Sequence, residues 1–187
     1  MYENNLGRRR VLVAATGVAV GALAGCLGDD DTPEPIALDD GQSCDQCGMV
    51  IEEHPGPTGQ IFFEDYPDDR EGPAHFCSGT CTYQYRFDAE DAGQTPIVTY
   101  LTDYSGVDYS LTDDEEQPFI SAHLDPDDYA DETGMTFAAG SDVHGAMGPD
   151  LIPFGDDDDA ATFADEHGGD VVTHDEINRE LLDAMAN

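Results

Sequence analysis

Cys44, Cys47, Cys77 and Cys81 constrain this chain more than any other feature. They form Cys44-x2-Cys47 and Cys77-x3-Cys81, two close pairs with 29 residues between them. Such pairs, brought together by a hairpin-length segment, make a metal-site pattern. The first pair falls on a turn. The second falls where a strand enters a helix, which puts Cys77 and Cys81 on one helix face at i and i+4. A helix N-terminus also favours the thiolate, the form that binds metal. Two disulfides fit the same spacing in an oxidising compartment, and Cys44-x2-Cys47 alone has the spacing of a thioredoxin-like redox pair. No βαβ context precedes that pair, so the metal reading leads.

The run Phe76-Cys77-Ser78 followed by Cys81 resembles small treble-clef metal sites, where four cysteines close around Zn(II). The residues beside the first pair point to a softer ion. Cys47-Gly48-Met49 sets a thiolate and a thioether two positions apart, and in an extended segment i and i+2 project to one side. Thioether is a poor ligand for Zn(II) and a good one for Cu(I), and it needs no deprotonation. His54 is a candidate imidazole. Met147, in Gly145-Ala146-Met147-Gly148-Pro149, sits in a Gly-rich loop where packing asks little of it, so a ligand role fits. His75, His123, His167 and His174 show no ligand pattern.

Charge removes whole classes of function. The chain carries 42 acidic residues against six basic ones, all Arg, for a formal net charge of -36. Phosphate neutralisation needs clustered Lys and Arg, so nucleic acid is excluded as a partner. A hydrophobic content of 39% with this charge would read as disorder in dilute buffer. Eight Tyr and eight Phe spread along the chain imply packed cores instead. A folded protein with such a surface suits a high-salt environment, where self-repulsion is screened. Most carboxylates are then solvated surface. No acid–base pair or nucleophile is placed for bond-making chemistry, and the chain reads as a binding protein rather than an enzyme.

The N-terminus reads as an address. Arg8-Arg9-Arg10 precedes an apolar stretch at 11–25, shorter than the roughly 20 residues of a membrane span but suited to an export signal. The paired arginines resemble a twin-arginine signal. Leu23-Ala24-Gly25-Cys26 resembles a lipobox, which makes Cys26 the lipidated first residue of a mature protein held on the outer face of the cytoplasmic membrane. Residues 26–42, with Asp29-Asp30-Asp31 and two prolines, read as an acidic, solvated tether.

Two short α+β units are expected after it, at 43–104 and 105–187. In the first, 61–63 and 74–76 form a hairpin around a Pro/Asp/Gly turn at 66–73, followed by a helix at 77–87 and a strand at 97–101. In the second, strands at 107–111, 119–124, 135–138 and 171–173 accompany helices at 159–166 and 175–185. Aligned on each other, the units share a β-β-α-β order.

Cys47-Gly48-Met49-Val50-Ile51-Glu52-Glu53-His54-Pro55-Gly56 and the segment through Ile61 resemble the signature of the NosL family of copper-binding lipoproteins. Met147-Gly148-Pro149-Asp150-Leu151-Ile152-Pro153-Phe154, His167-Gly168-Gly169 and Asp175-Glu176-Ile177 follow in that family's order. The resemblance implies two packed β-β-α-β units and a single Cu(I) site. Cys47 and Met49 match the family's Cys-Gly-Met, and Met147 matches its Met-Gly. It further implies copper delivery to nitrous-oxide reductase alongside a membrane transporter complex. Cys44, Cys77 and Cys81 exceed what such a site requires, which leaves open a separate Zn(II) tetrathiolate.

Overall fold

The computed structural model describes residues 32–65, 70, 72–112 and 116–186. The expected export signal and the expected lipid anchor Cys26 lie outside the described residues. Those from Thr32 onward form one compact unit built on two antiparallel sheets.

The first sheet contains β1 (Gly59–Phe63), β2 (Ala74–Phe76), β3 (Pro96–Thr102) and β4 (Tyr129–Asp131), in the order β2-β1-β3-β4. Helix α1 (Gly79–Asp91) joins β2 to β3. The second sheet contains β5 (Thr136–Gly145), β6 (Gly148–Phe154) and β7 (Asp170–Thr173), in the order β6-β5-β7, with α2 (Asp157–His167) between β6 and β7. A short helix α3 (Arg179–Met185) ends the described chain. Each half therefore runs β-β-α-β, with its first strand central and its second and third on either side. The expected α+β architecture is what the chain adopts.

Alternation along β5 shows how the halves meet. Phe137 and Ala139 face a core shared with Tyr83 of α1, Leu101 of β3 and Leu182 of α3. Ala138 faces the opposite core, with Phe154, Ala160 and Phe163. Successive strand residues point to opposite faces, so the second sheet is covered by α2 on one side and by the first half on the other. A third core, beneath the first sheet, holds Ile61, Phe76, Leu38 and three of the cysteines.

Several expectations are corrected. The division at 104/105 does not match the sheets, because β4 pairs with β3 through Leu101–Ala130 and completes the first sheet. The expected strands at 107–111 and 119–124 are extended loops; an isolated bridge joins Leu111 to Ile120, and another joins Phe119 to His144 of β5. Strand β6 sits where the sequence suggests a Gly-rich loop. Its prolines, Pro149 and Pro153, lie on an edge strand, where a missing N–H is tolerated. The tether is not solvated throughout. Gln60 is fully buried, accepts from Ile36 N at 2.9 Å and donates to Ile36 O at 2.7 Å. Leu38 is fully buried as well. Ile36-Ala37-Leu38 is apolar enough to dock, and the acidic residues around it hid that.

The three arginines among the described residues all cross-link elements. Arg70 pairs with Asp45. Arg86 pairs with Glu90 and the buried Glu132. Arg179 pairs with Asp88 and Asp91, tying α3 to α1. Among the described residues no helix is long and apolar enough to cross a membrane.

Candidate metal centre

The first cysteine pair sits on a closed turn. Gly48 N donates to Cys44 O at 2.8 Å, and Cys44 N donates to Met49 O at 2.8 Å. Gly48 adopts φ +80°, a left-handed conformation that a side chain would strain. Cys47 and Met49 are thus separated by a chain reversal, not by the extended segment that the i, i+2 argument assumed. Asp45, between the two cysteines, locks the turn to β2. Its backbone N donates to His75 O, its carboxylate accepts from His75 N at 2.7 Å, and Arg70 donates to it at 2.6 Å. That places the first pair against the chain two residues before Cys77.

The second pair is held by a helix cap. Ser78 Oγ accepts from Cys81 N at 2.9 Å, as an N-cap serine does for an orphan amide. The next orphan amide, that of Thr80, is satisfied from the other half of the molecule. Asp150 of β6 accepts from Thr80 N and Thr80 Oγ1, each at 2.8 Å.

All four sulfurs converge. The Sγ atoms of Cys44, Cys47, Cys77 and Cys81 lie within 4.8 Å of one another, and Cys47 and Cys77 are 3.4 Å apart. A tetrahedral tetrathiolate with metal–sulfur bonds of about 2.3 Å has sulfur edges of about 3.8 Å, so this cluster needs little movement to close on an ion. All four are free thiols. Cys44, Cys77 and Cys81 are buried, and Cys47 is exposed. Hydrogen bonds from Cys77 and then Cys81 hold the Cys44 thiol far below the usual range. The donors are pushed up in turn, each first by its bond to Cys44. The cluster thus favours one thiolate with protons shared around it, and a bound cation would take the place of those protons.

Cys47 and Cys81 open onto a cleft of about 330 Å³ that Met147 and Met185 also line. In a chain with 42 acidic residues, none of the ten residues lining it is Asp or Glu. Met147 is 53% exposed and occupies the two-residue turn of the β5–β6 hairpin, between paired Gly145 and Gly148. It is held by a tight turn rather than by a flexible loop. Met49 and His54 are half-buried and do not line the cleft. Asp45, Asp150 and Met185 were not singled out by sequence. The two aspartates look like any other acid in this chain, and Met185 looks like one apolar residue of an amphipathic helix.

A sequence profile of the NosL family matches residues 35–182. The chain belongs to the NosL family. It is 29% identical over 168 residues to the copper-binding lipoprotein NosL of Stutzerimonas stutzeri, covering 88% of this chain and 78% of that one. It is 30% identical over 186 residues to the copper-binding lipoprotein NosL of Achromobacter cycloclastes, covering 95% and 81%. The crystal structure of the copper chaperone NosL from Shewanella denitrificans superposes with a TM-score of 0.65 at 27% identity, covering 79% of this chain and 98% of that one. The NosL match spans both halves, so the sulfur cluster and the Met147 hairpin both lie within it.

Asp150 gives this NosL protein a pH-dependent joint. Burial pushes its carboxyl up to about 7, against the pull of hydrogen bonds from Thr80 and Leu151. The same carboxyl titrates near 3.8 when unfolded. Between those values the folded state binds more protons, so stability falls as pH rises through the window and levels off above it. A rise from 3.8 to about 7 is worth on the order of 4 kcal/mol. Asp150→Asn is expected to flatten that slope in thermal melts from about pH 4 to about pH 8 at fixed high salt. An unchanged slope would assign the effect to other carboxylates.

Proposed function

We propose that this protein is an exported copper carrier, anchored to the outer face of the cytoplasmic membrane by lipid on Cys26, that holds Cu(I) and passes it on during maturation of nitrous-oxide reductase. The observation that carries this reading is a sulfur-lined cleft without carboxylates on an otherwise acidic protein. Hard cations prefer oxygen, whereas Cu(I) prefers thiolate and thioether. Cys47 is the exposed sulfur donor of the cleft, Met147 lines the same cleft, and Met49, outside it, is the further thioether of the family motif. Because Cys47 is exposed, an acceptor's ligands can replace its own one at a time. The copper-binding and chaperone names of the relatives support this reading, and their lipoprotein names support the anchor. Delivery to the reductase, alongside a membrane transporter complex, rests on the resemblance of the motifs. No bond-making step is required of a carrier.

A second reading, a structural Zn(II) tetrathiolate, is favoured by the burial of Cys44, Cys77 and Cys81. Metal analysis of protein purified anaerobically in high salt separates the two. Exchangeable copper supports the carrier, and tightly held zinc without copper uptake supports the structural site. For the anchor, Cys26→Ser is expected to move the full-length protein from the membrane fraction to the soluble fraction without changing its copper content. A variant that stayed with the membrane would remove Cys26 as the anchor.

A further inference from the structure

We propose that Met185, on the C-terminal helix, supplies a thioether to the Cu(I) held in the cleft that Cys47 and Met147 also line. The proposal rests on the copper-carrier reading and assigns it a ligand. Met185 lies beyond residues 35–182, the span of the family profile.

Placement of Met185 follows from what fixes α3. Asn178 caps the helix by accepting from Leu181 N at 3.0 Å. Arg179 reaches across to Asp88 at 2.9 Å and Asp91 at 2.8 Å on α1. Leu182 is buried in the core between the sheets. Residues three apart share a helix face, so seating Leu182 brings Met185 over the same edge. On the opposite wall, Cys81 and Gln84 repeat that spacing along α1, and both line the cleft.

Gly140 makes room for the thioether. It adopts φ +66°, and a Cβ there would stand 3.2 Å from Met185 Cγ and 3.7 Å from Sδ. Met185 is half-buried at the rim. Met185 lines the cleft that two cysteines and a second methionine also line. Four sulfur-bearing residues among ten, with no carboxylate, form a donor set that suits a soft monovalent ion. One thiolate with neutral thioethers leaves little net charge around Cu(I). The thioethers also keep their grip at pH values where thiolates are protonated.

Selenomethionine labelling tests this directly, because selenium and sulfur scatter differently around copper. Full-length labelled protein, loaded with Cu(I) anaerobically in high salt, is expected to show copper–selenium contacts. Met185→Leu keeps the apolar volume; it should lower the selenium count by one and weaken Cu(I) in chelator competition by roughly 10-fold. In Met49→Leu/Met147→Leu, one copper–selenium contact should remain, with circular dichroism confirming the fold. An unchanged selenium count and affinity in Met185→Leu would overturn the proposal, as would copper bound by sulfur with no selenium at all. Failure of the unlabelled protein to take up any copper would instead overturn the carrier reading beneath it.

Discussion

Replacing Cys47 with serine is expected to abolish tight Cu(I) binding while leaving the fold intact. Cys47 is the exposed member of the four, so the substitution removes the sulfur donor that opens onto the cleft without disturbing a core. The loss should exceed the roughly 10–100-fold that even outer-sphere changes cost at metal sites. Cys44, Cys77 and Cys81 behave differently because they are part of the first core. Serine at any of them buries a hydroxyl among apolar side chains, at a cost of about 1–3 kcal/mol unless it finds a partner. Those variants should lose stability as well as metal. Met49→Leu and Met147→Leu should each keep the fold and weaken Cu(I) by roughly 10–100-fold. Competition of each variant against a Cu(I) chelator, with zinc measured in parallel, reads the pattern. If Cys47→Ser kept wild-type Cu(I) affinity, or if Met147→Leu were silent, the cleft would not be the copper site.

The second large effect is that of salt. The chain from Cys26 onward carries three arginines against 41 carboxylates. The arginines are already spent on Asp45, Glu90, Glu132, Asp88 and Asp91, so most acidic residues face one another across solvent. At about 0.1 M ionic strength the screening length is about 10 Å, and at about 1 M it is about 3 Å. Repulsion summed over that many charges is comparable with a domain's total stability of roughly 5–15 kcal/mol. Far-ultraviolet circular dichroism is expected to show a cooperative melt in concentrated KCl and a largely unfolded chain at about 0.1 M. Salt-independent melting would show that the carboxylates are spaced widely enough to coexist without screening.

Much of this was legible because it depends on local chemistry. The 61–63 and 74–76 hairpin strands, the helix after Cys77 and the start of α2 follow from short apolar runs flanking a Pro/Asp/Gly turn, Tyr83 and Phe87 at i and i+4, and acidic residues at the positive end of a helix dipole, each readable within a few residues. The spacing of the cysteines already announced a metal-type cluster. The two halves share the same β-β-α-β order, and that too was visible in outline. Val107–Leu111 and Phe119–Leu124 were misread because Val107, Leu111 and Ile120 serve a core shared with α2 rather than a sheet. Strand β6 was missed because two prolines disguise an edge strand.

By itself, then, the sequence pointed to a family member with soft donors, and it set the expectations of an export address and of a surface that needs salt. Only the tertiary structure decided which donors meet. The Asp45 bridge to His75 and the Asp150 bond to Thr80 join residues that lie 30 and 70 positions apart. Nothing distinguishes either aspartate from the acids around it until the chain has folded. The same folding carries Met147 and Met185, from a hairpin and a helix of the second half, to the mouth of a cysteine cluster built by the first. The ten residues that line the cleft come from four separated stretches of chain, around Cys47, Cys81, Met147 and Met185, and none is a carboxylate. That exclusion is a property of packing, and no local pattern encodes it.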